Sequence, residues 1–264
     1  MACGRHRDGS VGSFLDTARP ARAAMIFRAA QLSTLVYPAA VAHGEAECIA
    51  HDRDAVARGA RALGLDFVAW HDDAATDTEF AILRESGRTW VAVRGTTSLR
   101  DVYTDLRATR RKFRAADGDE VRAHAGGYYS ALSAAGTIAT HLRAYPWDSI
   151  TFTGHSLGGM IAQILAVMMP TRYGVGDRRI STATFGQPRA GCRRFSRALR
   201  ALDGTHARAY HRGDPVPWLP GAITRLTPWP RYVHAGESMA WPCDRVGIAA
   251  HKMAGYLADA AALQ

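Results

Sequence analysis

The chain has 264 residues, of which 47% are hydrophobic and 22% are charged, and its formal net charge is +9. These values exclude a disordered chain, and they allow one large core or two small ones. Almost all of the positive charge is arginine, since Lys112 and Lys252 are the only lysines. The charge indicates a basic surface, and attraction to anionic lipid or nucleic acid is the alternative interpretation.

Targeting and redox signals favour a bacterial cytoplasmic protein. The cysteines are scattered without metal-ligand or redox spacing, at Cys3, Cys48, Cys192 and Cys243. A chain of this length does not need disulfides, so we interpret them as free thiols, with two bridges as the alternative in a secreted protein. Polar residues interrupt the apolar segment 23–42, which therefore resembles an amphipathic helix more than a signal peptide. The apolar stretch 160–170 is too short to span a membrane.

The first half of the chain predicts helices followed by paired strands. Residues 1–20 are polar and are predicted to form a flexible N-terminal segment, with a single domain over residues 21–264. Helices are predicted at residues 21–37 and 53–64, ended by a proline and a glycine. Short runs rich in Val, Phe and Trp predict strands joined by hairpin turns, at residues 66–72, 78–86 and 89–96.

The second half of the chain predicts helices and strands in alternation. The pattern becomes helical from residue 98, passes a basic segment, and reaches a long helix at residues 124–145. The next predicted elements are a strand at 149–154, a helix at 160–169, strands that begin at residues 179 and 205, a last strand at 231–236 and a closing helix at 249–263. This alternation predicts an α/β fold with a mostly parallel central sheet, helices on both faces, and antiparallel strands in the N-terminal half.

One serine lies in a motif typical of a nucleophile. Residues 154–158 read GHSLG, which fits G-x-S-x-G between a strand and a helix. A sharp strand-to-helix turn exposes the serine hydroxyl, and side chains at Gly154 and Gly158 would collide with the neighbouring elements. We therefore predict Ser156 as a nucleophile. The side chain of His155 should point away from Ser156, so His155 is rejected as its base.

A serine nucleophile needs a histidine base oriented by a carboxylate, which follow in the order Ser, Asp or Glu, His on this fold. Asp214 follows a strand directly, whereas Asp177 and Asp203 precede strands and lie at the wrong end. His251 follows the last predicted strand and is favoured over His234, which lies within it. His206 and His211 precede Asp214 and break the order.

Acyl transfer also needs hydrogen-bond donors for the oxyanion. The backbone N–H of Leu157, the residue after the nucleophile, is the first predicted donor. The second is the N–H of Thr96, at the end of the strand that closes with Arg94-Gly95-Thr96. A simple strand-end turn is the alternative interpretation of this segment.

Taken together, these motifs resemble those of the class 3 lipases, the fungal-lipase-like branch of the α/β-hydrolases. The matching segments are VAVRGTTSLRDVYTDL, GGYYSAL, FTGHSLGG, FGQPRAG, HRGDPVPWLP and AHKMAGYL. LSTLVYP also resembles the family's opening helix, and the resemblance runs from about residue 28 to 260. The resemblance implies the same nucleophile, acid, base and oxyanion donors, and it implies neither a metal nor an organic cofactor.

The resemblance also implies a lid helix near residues 98–107. Its apolar face is predicted at helical spacing, from Leu99, Val102, Tyr103 and Leu106. A surface helix packed permanently on the body is the alternative. Basic residues just after this segment could contact an anionic membrane or lipid surface, although a solvated basic face is the plainer interpretation.

The sequence therefore predicts a carboxylic ester hydrolase that acts on acylglycerols or related lipid esters. A phospholipase A1, a thioesterase or a small-ester esterase is the alternative enzyme. A catalytically idle protein that binds lipid or a partner is the alternative without chemistry. No nucleic-acid partner is expected, because no motif beyond charge supports one.

Overall fold

A computed structural model of the protein describes residues 11–38, 53–95, 109–145, 147–175, 179–220 and 232–264. The helices in these ranges are α1 (Val11–Leu35), α2 (Arg53–Ala62), α3 (Ala125–Ala144), α4 (Leu157–Tyr173), α5 (Arg193–Ala201), α6 (Ile248–His251) and α7 (Met253–Ala261). Among the described residues, none of the helices has both the length and the apolar content that crossing a bilayer requires.

The strands form a large mixed sheet and a small antiparallel one. They are β1 (Asp66–Asp73), β2 (Thr78–Glu85), β3 (Arg88–Val93), β4 (Arg110–Arg114), β5 (Glu120–His124), β6 (Ser149–His155), β7 (Arg179–Phe185), β8 (Gly191–Cys192), β9 (His206–His211), β10 (Tyr232–Val233) and β11 (Glu237–Trp241). Within the described ranges, the large sheet has the order β1-β2-β3-β6-β7-β9-β11, and the small sheet has the order β10-β8-β5-β4.

The large sheet changes direction at β3. Strands β1, β2 and β3 pair antiparallel, as hairpins do. From β3 through β6, β7, β9 and β11 every pairing is parallel. The predicted α/β architecture, with its antiparallel N-terminal half, is confirmed.

The two faces of this sheet bury separate cores. Because side chains alternate along a strand, Phe80 and Ile82 of β2 pack into the core beneath α3, α4 and α5. Their neighbours Ala81 and Leu83 face the opposite core, which α1, α2 and α7 cover. Strand β6, between two other strands and between both helix layers, therefore lies at the centre of the molecule.

Several element boundaries differ from the sequence prediction. Helix α1 begins at Val11, so residues 11–20 of the predicted flexible segment are helical, with Pro20 inside the helix. The predicted last strand at 231–236 contributes only Tyr232–Val233, to the small sheet. The last strand is β11, whose residues are mostly exposed at the edge of the large sheet and therefore lack a buried apolar pattern.

Candidate active site

Four parallel strands end at the same edge of the large sheet. The sheet register aligns Val93 of β3 with Gly154 of β6, His155 with Phe185 of β7, and Phe185 with Ala209 of β9. Residues that directly follow these strands therefore converge in space, as is typical of ligand sites in open α/β sheets.

Ser156 lies at a strained turn between β6 and α4. Its φ of 56° and ψ of −128° fall outside the regions that side-chain-bearing residues prefer. The Ser156 N–H donates to the Phe185 carbonyl oxygen at 2.9 Å, which ties the turn to the adjacent strand end. A Cβ at Gly154 would lie 2.5 Å from the Gly158 carbonyl carbon. Glycine there lets the helix start close to the strand, so the structure explains why these glycines surround the serine.

The predicted nucleophile, base and acid lie in one hydrogen-bonded row. The His251 Nε2 atom lies 2.9 Å from the Ser156 Oγ, and the His251 Nδ1 atom lies 2.7 Å from the Asp214 Oδ2. All three side chains are fully buried. With Nδ1–H donating to the carboxylate, Nε2 is free to accept the serine proton, so the arrangement can activate Oγ for attack on a carbonyl carbon.

The carboxylate of Asp214 receives two further hydrogen bonds. The Val216 N–H donates to Oδ1 at 2.9 Å, and the Tyr256 hydroxyl donates to Oδ2 at 2.6 Å. Burial, followed by the neighbouring Asp214 charge, raises the pKa of Tyr256, so its hydroxyl keeps the proton that it donates. Three donors thus offset the desolvation of a buried carboxylate.

His155 does not contact the serine hydroxyl but supports the base from behind. Its Nε2–H donates to the His251 carbonyl oxygen at 2.7 Å, and its Nδ1 accepts from the Tyr37 hydroxyl at 3.2 Å. Its ring lies 4.5 Å from the ring of His251. Burial, together with the proximity of His251, lowers the pKa of His155 well below its usual range, so His155 is neutral at neutral pH.

His234 and Asp203, which the prediction set aside, make contacts outside the row. His234 donates through Nε2 to the Pro217 carbonyl oxygen at 2.7 Å. The carbonyl oxygen of Asp203 accepts from the Ile180 N–H near the start of β7, at the opposite edge of the sheet. Asp177 lies outside the described residues.

The oxyanion donors are described in part. Leu157 is the first residue of α4, where a backbone N–H has no intrahelical acceptor. Thr96 and the predicted lid, with Leu99, Val102, Tyr103 and Leu106, lie outside the described residues. The preceding Gly95 lies against the turn, because a Cβ there would be 3.3 Å from the Ser156 Cβ.

Three residues around the row were not predicted from the sequence. Gly186, with a φ of 55°, leaves room for the pair behind it, because a Cβ there would lie 2.9 Å from the Asp214 Oδ2 and 3.1 Å from the His251 ring. Tyr256 and His211 contact the row through long-range packing. All three do lie inside the matching segments, Gly186 in FGQPRAG, His211 in HRGDPVPWLP and Tyr256 in AHKMAGYL, which was the available signal.

No cluster of three or more His, Cys, Asp or Glu side chains that could hold a metal ion occurs within the ranges that the structure describes. Cys192 and Cys243, which lie in those ranges, carry free thiols.

Comparison with known proteins supports the class 3 lipase family, which the sequence motifs resemble. The family model for lipase (class 3) matches residues 90–224. The chain is 40% identical over 108 residues to Lipase ZK262.3 of Caenorhabditis elegans, covering 41% of this chain and 30% of that protein. It is 33% identical over 103 residues to a secreted mono- and diacylglycerol lipase of Gibberella zeae, covering 35% of this chain and 24% of that protein. The chain thus spans less than half of the length of these relatives.

The fold is shared with solved lipase structures. The crystal structure of a lipase from Rhizopus microsporus var. chinensis superposes with a TM-score of 0.63 at 23% identity, covering 83% of this chain and 74% of that one. A likeness at this identity establishes the α/β-hydrolase fold and nothing finer. Since the family model matches just over half of the sequence, the chain belongs to the class 3 lipase family.

Proposed function

We propose that the protein hydrolyses carboxylic esters of lipids, with Ser156 as nucleophile, His251 as base and Asp214 as the acid that orients His251. The observation that carries this proposal is the unbroken row of hydrogen bonds from the Ser156 Oγ to the Asp214 carboxylate. The strained backbone at Ser156 supports it, because strain of this kind concentrates at functional sites.

The proposed reaction proceeds through an acyl-enzyme. The Oγ of Ser156 attacks the ester carbonyl carbon while His251 Nε2 takes the hydroxyl proton. The N–H groups of Leu157 and Thr96 bind the oxyanion. When the intermediate collapses, the bond to the alcohol oxygen breaks and His251 returns the proton to that oxygen. Water then attacks the acyl carbon while His251 Nε2 takes its proton. The bond between the acyl carbon and the Ser156 Oγ breaks, His251 returns the proton to Oγ, and the acid leaves.

A lid would explain how a substrate reaches the nucleophile. The side chain of Ser156 is fully buried, and a cover that moves aside would expose it to a substrate. This burial supports the predicted lid over residues 98–107, and closure of this kind would also exclude water from the acyl-enzyme.

The proposed substrate class is acylglycerols. Support comes from the family and from the relative that is named a mono- and diacylglycerol lipase. Phospholipids and short soluble esters are the competing substrates, and they correspond to the alternatives of a phospholipase A1 and a small-ester esterase.

The proposed partner is an anionic lipid surface that meets a basic face on α5 and β4. This basic face consists of exposed side chains, namely Arg111, Arg193, Arg194, Arg197 and Arg200. The two elements adjoin, because the rings of Phe113 and Phe195 lie 6.5 Å apart. Cations gathered on one side attract anionic headgroups, and salt screens that attraction.

Vesicle sedimentation tests the basic face. Vesicles of phosphatidylglycerol should bind the protein at low salt and release it at high salt, whereas phosphatidylcholine vesicles should bind weakly. The double variant Arg193→Gln/Arg197→Gln should weaken binding. Its matched control is Arg58→Gln/Arg61→Gln, on the exposed side of α2. Equal binding by both double variants would contradict this role.

The location of the protein stays a prediction. The free thiols of Cys192 and Cys243 fit the cytoplasm that the sequence favours, whereas one relative is named a secreted lipase. Fractionation of the native host, with detection of the chain in cells and in culture medium, decides between the two.

Kinetics on a panel of esters tests the proposed function. Ser156→Ala should abolish hydrolysis of dioleoylglycerol and of p-nitrophenyl butyrate without changing the circular dichroism spectrum. Ser149→Ala, at the half-buried start of the same strand, is the matched control and should retain activity. Substantial hydrolysis by Ser156→Ala would overturn the mechanism, and a preference for phosphatidylcholine over acylglycerols would redirect the substrate assignment.

A further inference from the structure

A second histidine–carboxylate pair lies directly behind the first. His211 ends strand β9 and is 1% exposed. Its Nδ1 atom lies 2.6 Å from the Ala250 carbonyl oxygen, and its Nε2 atom lies 2.7 Å from the Asp259 Oδ2. The pair therefore joins the end of a central strand to α6 and α7 at once.

The two contacts of His211 determine its protonation. A carbonyl oxygen can only accept a hydrogen bond, and an ionised carboxylate can only accept as well. Each ring nitrogen of His211 must therefore donate, which requires a proton on both. A neutral imidazole would direct a lone pair at one of these oxygens. The geometry thus describes an imidazolium that is ion-paired with Asp259.

This imidazolium is connected to the catalytic row by two routes. Ala250 immediately precedes His251, so the first hydrogen bond fixes the peptide that carries the base. On the second route, the ring of Tyr256 stacks on the ring of His211 at 3.8 Å and 7°. The Tyr256 hydroxyl accepts from the His211 backbone N–H at 3.0 Å and donates to Asp214.

The backbone around His251 has little support of its own. Helix α6 has four residues, and Lys252 is extended before α7 begins. A single helical turn is unstable in isolation, so external contacts must hold it. The carbonyl oxygen of Ala250 accepts from His211, and the carbonyl oxygen of His251 accepts from His155.

We propose that His211, held as an imidazolium by Asp259, is a positioning residue that keeps His251 and Asp214 aligned with Ser156. This inference rests on the proposed function of those three residues. Its consequence is a loss of alignment in the catalytic row, and with it a loss of turnover, when the contacts of His211 are removed.

Other titratable groups surround His211 and belong to the same electrostatic environment. They are Tyr256 and Asp259 of α7, Arg245 in the segment before α6, His155 at the end of β6, His251 of α6, and Asp214 after β9. Asp259 is the group that makes a direct ion pair with His211 among the described residues, and it is 43% exposed. Asp259 is therefore the position at which the charge can be changed with least disturbance of packing.

Three variants separate positioning from packing, with p-nitrophenyl butyrate as substrate. His211→Leu removes both hydrogen bonds and should lower kcat about tenfold or more with little change in KM, because small misplacements of a catalytic group reduce the rate steeply. His211→Asn keeps an N–H for the Ala250 oxygen and should recover part of the loss. Asp259→Asn replaces the carboxylate that accepts from His211 with an amide, so it should lower kcat with little change in KM. Asp54→Asn, an exposed helical carboxylate, is the matched control.

Nitrogen NMR of histidine-labelled protein measures the protonation directly, even if His211→Leu fails to fold. The resonances of His211, assigned by their absence in His211→Asn, should show protons on both ring nitrogens at neutral pH.

The outcomes distinguish this inference from the proposed function. A neutral His211 at neutral pH would overturn the inference, as would a kcat that is identical in Asp259→Asn and Asp54→Asn. Retention of kcat by His211→Leu within about twofold would do the same. Each of these results would leave the requirement for Ser156 untouched, whereas hydrolysis without Ser156 would remove the proposed function itself.

Discussion

At the scale of single residues, the clearest dependence is that of His251 on Asp214. The buried carboxylate accepts from His251, Tyr256 and Val216, and it thereby fixes which nitrogen of His251 carries the proton. The nitrogen that faces Ser156 is consequently left with a lone pair.

Asp214→Asn should therefore lower kcat by about a thousandfold or more, the order seen when a triad carboxylate becomes an amide in other serine hydrolases. The amide N–H that Asp214→Asn introduces would point at the His251 Nδ1, which must then carry the lone pair. His251 therefore adopts the tautomer with its proton on Nε2, the nitrogen that faces Ser156. Steady-state kinetics on p-nitrophenyl butyrate measures the loss, with Asp203→Asn as the control at the opposite sheet edge. Retention of a tenth of kcat in Asp214→Asn would contradict the role of Asp214.

The sequence was informative about residues whose role follows from position along the chain. Ser156, Asp214 and His251 are predicted from motif, order and strand ends, and the structure brings their side chains into contact. Tyr256 and His211 escape prediction because their contacts depend on packing between positions that are 42 and 45 residues apart. Thr96 stays a prediction, because it lies outside the described residues.

At the scale of elements, the contact between α4 and β3 is unusually close. A Cβ on Gly158 would collide with the Val93 carbonyl oxygen and would lie 2.7 Å from the Arg94 carbonyl carbon. These are backbone atoms that cannot rotate away. The short distance between helix and strand is what lets Leu157 start a helix directly after the serine.

Gly158→Ala should lower the free energy of unfolding by about 1–3 kcal/mol, the usual range for overpacking a buried site. Gly136→Ala is the matched control, because a Cβ added to Gly136 in α3 would meet no atom of another element within 4 Å. That substitution should raise stability by up to about 1 kcal/mol through helix propensity. Urea unfolding of both variants measures the difference, and equal stability would contradict the close approach.

Elements with an apolar pattern were predicted well, and exposed ones were missed. Strands β2, β3, β6 and β7 are buried and rich in apolar residues, so their runs stood out. Strand β4 has the sequence RRKFR and is largely exposed, so it lacks the apolar pattern from which a strand is predicted. Strands β8 and β10 have two residues each, which is too short to produce a pattern.

At the scale of the whole molecule, burial of neutral histidines links stability to pH. Burial lowers the pKa of His155 and of His206, and it lowers the pKa of His234 to about 3. Glu79 acts in the opposite sense, because burial raises its pKa to about 7. The three histidines outnumber the one carboxyl, so their effect dominates.

The free energy of unfolding should therefore fall as the pH falls below about 6.5. In that range the unfolded chain binds protons at the three histidines and the folded chain does not, while Glu79 offsets about one of them. The slope of the free energy of unfolding against pH should approach about 2–3 kcal/mol per pH unit at most. Urea titrations at neutral and mildly acidic pH measure it, and His234→Gln should flatten it. Stability that is unchanged or higher in mild acid would contradict this balance.

The most direct test of the whole account is covalent labelling with a fluorophosphonate in detergent, mapped by peptide mass, with Ser156→Ala in parallel. An activated serine is required for rapid phosphonylation, and detergent favours opening of any cover over the site. The account predicts modification at Ser156 alone and none in Ser156→Ala. Folded protein that is not labelled, or that is labelled equally in Ser156→Ala, would contradict the claim that Ser156 is an activated nucleophile.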